Sequence, residues 1–140
     1  MFKQWEQAPA QTRIEADRFV GQLVFNADGL IPAIAQQHDT GEVLMMAWMN
    51  DQSIEETLAT GQVCYWSRSR QTYWRKGESS GHQQKLVSMR ADCDGDTLLL
   101  LVDQKGPACH TNRRSCFFFE MDAKEATVLN DVNSGLTEKP

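Results

Sequence analysis

The stretch Asp92-Cys93-Asp94-Gly95-Asp96 runs straight into Thr97-Leu98-Leu99-Leu100-Leu101-Val102, and this junction restricts the fold more tightly than any other part of the chain. Asp-Gly between two runs of strand formers is a hairpin signal. It predicts a β-hairpin over residues 86 to 102, with Asp94-Gly95 as its two-residue turn. The second arm is apolar throughout, which suggests burial on both faces, inside a core or against a partner chain. A second hairpin is predicted from Gly29 to Trp48, its arms Leu30–Ala35 and Val43–Trp48 flanking the turn-rich Asp39-Thr40-Gly41. Pro32 has no amide to donate, which assigns it to an edge or to the start of a strand. A short helix follows, with Asn50 or Asp51 as its cap, Glu55 and Glu56 in its body and Gly61 just past its end. Gln62-Val63-Cys64-Tyr65-Trp66 has strand composition, and Phe117-Phe118-Phe119 is read as a last strand. The expected fold is mainly β (α+β), a single domain over 1–140. Mostly antiparallel strands close or half-close into a small barrel with one good helix, and a short polar tail follows from residue 121.

One domain is what 140 residues ordinarily make. A net charge of −5 does not suit a non-specific nucleic-acid binder. No apolar run approaches the ~20 residues of a membrane helix, and the first residues hold no signal-peptide core, so the expectations are no membrane, no nucleic acid and a cytoplasmic location. Thiols stay reduced there, which turns four cysteines away from disulfides and towards metal ligation or catalysis.

Three of those cysteines carry the chemistry. Cys109 and Cys116 lie among Gly, Pro, Asn, Arg and Ser, where burial gives no reason for a thiol. Cys93 sits among the aspartates of the first hairpin, whereas Cys64, inside an apolar strand, reads as an inert buried thiol. Three thiolates are ligands that zinc selects, and three protein ligands leave one open position for water, the arrangement of a hydrolytic site. Six residues separate Cys109 from Cys116, which is no zinc-knuckle spacing. His110 fits two roles, as a fourth ligand that closes the site or as an acid–base group beside it. His82 is ambiguous, and His38, near a turn, reads as exposed.

Asp92, Asp94 and Asp96 are hard oxygen donors of the kind magnesium takes. In a straight strand Asp92 and Asp96 would lie ~13 Å apart, too far to share an ion. A kink at Gly95 would bring them together beside the Cys93 thiol but distinct from it. A plain hairpin turn with solvated acids fits the same residues.

Charge is unevenly spread. Residues 61 to 90 hold Arg68, Arg70, Arg75, Lys76, Lys85 and Arg90 against Glu78 alone, a net +5 within an acidic chain. With Trp66, Tyr73 and Trp74 interleaved, this island suits phosphates and a stacked ring, or RNA, or simply a solvated strand edge. The zinc nucleobase deaminases share the chemistry but not the pattern: Asn112 stands where their second cysteine would be, and no histidine has Glu two positions on.

Several motifs together resemble phosphoribosyl-AMP cyclohydrolase, the histidine-biosynthesis enzyme that opens the adenine ring. They are Gly29-Leu30-Ile31-Pro32-Ala33, Thr40-Gly41-Glu42-Val43-Leu44-Met45, Ala47-Trp48-Met49-Asn50 and Ser67-Arg68-Ser69-Arg70. They continue with Trp74-Arg75-Lys76-Gly77-Glu78-Ser79-Ser80-Gly81, Asp92-Cys93-Asp94-Gly95-Asp96, Gly106-Pro107-Ala108-Cys109-His110-Thr111 and Ser115-Cys116-Phe117. They keep the family's order and cover roughly residues 29 to 119. Trp48 stands where tyrosine is usual and Tyr73 where leucine is common. The resemblance implies one zinc per subunit on Cys93, Cys109 and Cys116, shared across an intertwined homodimer, and magnesium on Asp92, Asp94 and Asp96. It also implies a β pseudobarrel capped by a helix. The reaction it implies is hydroxide attack at C6 of N1-(5-phosphoribosyl)-AMP with cleavage of the N1–C6 bond. His110, or else His82, would move the proton, and Arg68, Arg70, Trp74, Arg75 and Lys76 would bind the nucleotide. The rival reading is a structural-zinc protein, its site closed by His110 and its aromatic-basic segment bound to RNA.

Overall fold

A computed structural model describes residues 2–136. After a 3₁₀ turn over Phe2–Trp5 and helix α1 (Ala16–Gly21), the chain forms β1 (Ile31–Gln37), β2 (Val43–Met49), helix α2 (Asp51–Thr60), β3 (Cys64–Ser67), β4 (Thr72–Arg75), β5 (Gln84–Ala91) and β6 (Leu98–Gln104). A separate hairpin, β7 (Phe119–Met121) with β8 (Ala126–Val128), and a 3₁₀ turn at Ser134–Leu136 complete it. Among the described residues no helix is long and apolar enough to cross a membrane.

The six-stranded sheet has the order β4-β3-β2-β1-β6-β5 and curls into a half barrel. Its neighbouring strands pair mostly antiparallel, as expected, with one exception: β1 and β6 pair in parallel, Ala33 opposite Leu98 through Gln37 opposite Val102. Parallel neighbours need a long crossover, and α2, β3, β4 and β5 supply it. The curl carries β5 round to the lead-in of β3, where Val63 N–H donates to Gln84 O (3.0 Å) and Leu86 N–H to Gly61 O (2.8 Å). Pro32 lies in a central strand, yet at its start; pairing with β6 begins only at Ala33, so its missing amide leaves no gap in that ladder.

Alternation along the strands builds the core. Ile31, Ala33 and Ala35 of β1, Met45, Ala47 and Met49 of β2, and Leu98, Leu100 and Val102 of β6 share the concave face with Val63 and Tyr65. Each large apolar side chain buried there contributes ~1.5–3 kcal/mol. The expected burial of both faces of β6 does not hold within this chain, because Leu99 and Leu101 on the convex side stay half-buried. α2 closes the concave side with Ser53, Ile54 and Thr57, and its ends are those the sequence announces. The Asn50 side chain accepts from Ser53 N–H (2.8 Å), and Ser53 Oγ accepts from Asn50 N–H (2.9 Å). Gly61, at φ 77°, ends the helix in the left-handed conformation.

Three local expectations need correction. The β5–β6 connection is wider than a two-residue turn: β5 ends at Ala91 and β6 starts at Leu98, with Asp92 N–H on Thr97 O (3.0 Å) and Gly95 N–H on Asp92 O (3.0 Å). Phe117 and Phe118 precede the last hairpin rather than forming a strand, because Ser115 and Cys116 are still tied to β2. The residues beyond 121 are not a bare polar tail, since β8 pairs with β7 and the segment after it folds back on residues 111 to 114.

Candidate active site

The loop after β6 brings two thiols together. Ala108 N–H donates to Arg114 O (3.0 Å), Cys109 N–H to Arg113 O (3.2 Å) and Asn112 N–H to Cys109 O (2.9 Å), with Asn112 at φ 63°. This tight reversal cancels the six-residue separation. Ser115 Oγ donates to Val43 O (2.7 Å) and Cys116 N–H to Leu44 O (2.7 Å), which fastens the second thiol to β2. The Cys109 and Cys116 side chains line one cavity, and Thr111 Oγ1 donates to Cys109 Sγ (3.0 Å).

Their protons are unequally held. Burial opposes ionisation of Cys109, but the donors Thr111 and Cys116, with Arg113 nearby, outweigh it and lower its pKa. Cys116 is exposed as a residue, but the atoms crowding its sulfur desolvate it, and this and then the neighbouring Cys109 push it up to about 12. The pair thus favours a single negative charge on Cys109, with Cys116 as its donor. Burial lowers the pKa of Lys76 against the pull of Cys116 and Cys109, and its Nζ donates to Ala108 O (2.8 Å) over the ring of Trp74. Burial and the nearby Glu56 raise the Cys64 thiol to about 11, which keeps it protonated and inert.

Both thiols line a cavity of about 580 Å³ that also takes in His82, His110, Arg70, Trp74, Arg75, Lys76, Ser79 and Ser80. Gly106, at φ 70°, lets the His82 ring lie flat on the loop; a Cβ there would fall 2.7 Å from His82 Cδ2. The two candidate proton carriers therefore stand in the wall that holds the thiols. A larger groove of about 730 Å³ between α1 and α2 contains none of the candidate residues.

The basic island is divided. Arg70 and Lys76 reach the cavity, whereas Arg75, also in its wall, is engaged by Glu56 through two bonds of 2.7 and 2.9 Å. Arg68 lies outside the cavity, its guanidinium 4.7 Å from the centre of the Trp48 ring.

Cys93 and the aspartates lie elsewhere. Their turn is at the opposite end of β6, a strand of seven residues and thus ~20 Å from the cysteine loop at ~3.3 Å per residue. Gly95, at φ 71°, kinks the turn, and Asp96 N–H donates to Asp92 Oδ1 (3.1 Å). A hydrogen bond with Asp92, and the charges of Asp92 and Asp94, hold the Asp96 carboxyl above its usual range. Cys93 is exposed. Among the described residues no three His, Cys, Asp or Glu side chains converge so as to hold a metal ion within one chain.

The sequence model of the phosphoribosyl-AMP cyclohydrolase family matches residues 45–118. A phosphoribosyl-AMP cyclohydrolase of Alkalilimnicola ehrlichii is 62% identical over 129 residues, covering 92% of this chain and 91% of that protein. The Rhodospirillum rubrum enzyme of the same name is 72% identical over 107 residues (76% and 75%), and that of Acidiphilium cryptum 78% over 94 residues (67% and 81%). The chain belongs to this enzyme family. The matched span holds both the cysteine loop and the Asp92–Asp96 turn, so the two separated clusters fall within the family's common region. Two features of the site escaped the reading from sequence. Thr111 donates its hydroxyl to Cys109 Sγ from two residues further on, a local side-chain bond that the motif's residue types do not announce. Glu56 was read as a helix residue rather than as the partner of Arg75.

Proposed function

We propose that this chain hydrolyses phosphoribosyl-AMP, opening the N1–C6 bond of its adenine ring to give the formimino aminoimidazole carboxamide ribonucleotide of histidine biosynthesis. The observation that carries the reading is the meeting of Cys109 and Cys116 in one cavity with His82, His110 and the cations Arg70 and Lys76. The thiol pair suits zinc: one thiol is already biased towards thiolate, and both have soft sulfur donors. Cys109 and Cys116 would hold the ion together with Cys93 of the partner subunit, one zinc per subunit. Two features favour an intertwined homodimer. The Cys93 turn lies a full strand away from the thiol pair, and the convex sheet face carries Ile34, Met46, Trp48, Leu99 and Leu101 with Met46 44% exposed. Zinc in such a site supplies Lewis acidity, lowering the pKa of water from 15.7 to about 7.

The chain's own residues do the rest. Arg70 and Lys76 neutralise phosphate, and Trp74 offers its face to the purine. Arg75, held by Glu56, orders the wall more than it adds charge, and Arg68 acts outside the cavity if it meets substrate. His110 takes a proton from the water that adds to C6 and returns it to N1 as the N1–C6 bond breaks, while the remaining hydroxyl proton on C6 leaves to solvent as the carboxamide carbonyl forms; His82 is the second candidate. Substitution at N1 makes the ring cationic and C6 more electrophilic. Asp92, Asp94 and Asp96 would supply oxygen donors to magnesium; among the described residues of one chain the three do not converge on a point, so further ligands or a rearranged turn would complete that site. Purified protein incubated with phosphoribosyl-AMP should change its ultraviolet spectrum as the ring opens. A zinc-loaded protein that leaves the spectrum unchanged contradicts the reading.

A further inference from the structure

The last described residues lie against the back of the cysteine loop. Asn133 N–H donates to Thr111 O (3.1 Å) and Gly135 N–H to Asn112 O (2.8 Å). Asn112 Nδ2 donates to Asn133 Oδ1 (2.9 Å), and Arg113 Nε to Asn130 O (2.7 Å). The fit leaves no space. A Cβ on Gly135 would come within 2.8 Å of Asn112 O, 2.9 Å of Pro107 Cβ and 3.0 Å of Arg114 N. Each of these contacts falls on the reversal that sets Cys109 facing Cys116, and Thr111, held through its carbonyl, is the donor to Cys109 Sγ.

We infer that residues 130 to 135 are a brace that positions the thiol pair, with Gly135 and Asn133 acting as positioning residues through Asn112 and Thr111. Four hydrogen bonds between this short segment and the loop hold the back of the reversal, adding to the loop's own three backbone bonds and to its ties to Lys76 and β2. Outer partners of a metal ligand fix its orientation, and losing them typically lowers metal affinity ~10–100-fold. The inference rests on the zinc reading given above, but the order of the loop can be measured without any metal.

Gly135→Ala is the cleanest test, because Gly135 lies outside the left-handed region and alanine there meets only the crowded contact. Asn133→Gly is the second variant; it keeps the left-handed backbone of φ 66° and removes only the side-chain acceptor. In the full-length protein, zinc affinity is measured by competition with a chromophoric chelator, and amide exchange is followed on the metal-stripped protein. Both variants should bind zinc roughly tenfold or more weakly. In both, exchange should quicken at Ala108, Cys109 and Asn112 and stay at the wild-type rate in β1 and β2. Unchanged loop exchange, unchanged zinc affinity, or faster exchange spread evenly over the sheet would each overturn the brace. A wild-type protein that takes up no zinc would instead remove the functional reading, and the exchange measurement tells the two failures apart.

Discussion

Cys109 and Cys116 line one cavity, and their settings divide their proton affinities, lowering that of Cys109 and raising that of Cys116. Replacing either by serine should abolish zinc uptake and ring opening together, measured by metal analysis and the ultraviolet assay; zinc retained at wild-type stoichiometry would contradict the ligand assignment. His110→Ala should lower kcat by ~10²-fold or more with zinc content unchanged, since general acid–base groups contribute about that much. Loss of zinc would make His110 a ligand instead. Asp96 gives a prediction in pH. Its carboxyl binds a proton more tightly in the fold than in the unfolded chain, so its charge opposes folding at neutral pH and protonation relieves this as pH falls through the raised value. Asp96→Asn should therefore raise the thermal midpoint of the metal-free protein at pH 7, by an amount that shrinks in acid. The polar setting of Cys109 and Cys116, and the apolar one of Cys64, made their different placements legible from sequence: the first two line the cavity and Cys64 is buried. The same reading grouped Cys93 with them, although the apolar run it announced between Cys93 and Cys109 is a strand long enough to keep them apart.

Elements defined by local signals were legible: the Asn50 cap, the Gly61 terminus and the paired arms of β1 and β2 all stand where the residues placed them. Asn50→Ala should lower stability by about 1 kcal/mol, read from urea unfolding, with m unchanged. An unchanged midpoint would show that the capping box carries no stability. Elements held by distant partners were not legible. β4, rich in charge and aromatics, becomes a strand because Tyr73 and Trp74 pair across to Trp66 and Tyr65. The parallel register of β1 on β6 joins residues more than sixty positions apart, which periodicity cannot specify. The first residues looked featureless, yet Phe2, Trp5 and Phe19 form an aromatic cluster with centroids 4.9 to 5.4 Å apart. Phe2 lies so close over Gly95 that a Cβ would sit 2.6 Å from its ring, and Val24 N–H donates to Gly95 O (2.8 Å). The first and the last described segments thus each lie on one loop of the proposed zinc site.

At the scale of the molecule, a single chain keeps Cys93 apart from Cys109 and Cys116, and among the described residues no three potential ligands converge on one point. Its convex sheet face and the β7–β8 hairpin, with Phe119 64% and Met121 79% exposed, leave apolar surface uncovered. That surface could not be read from sequence, because an apolar run looks the same whether its own core or a second copy covers it. The direct test is complementation. Cys93→Ser and Cys109→Ser chains, each inactive alone, are co-expressed and assayed for ring opening. If Cys93 serves the partner's thiol pair, a mixed dimer rebuilds one intact site of two, and random pairing should restore about a quarter of wild-type activity. Activity no higher than that of either variant alone would contradict a site shared between subunits.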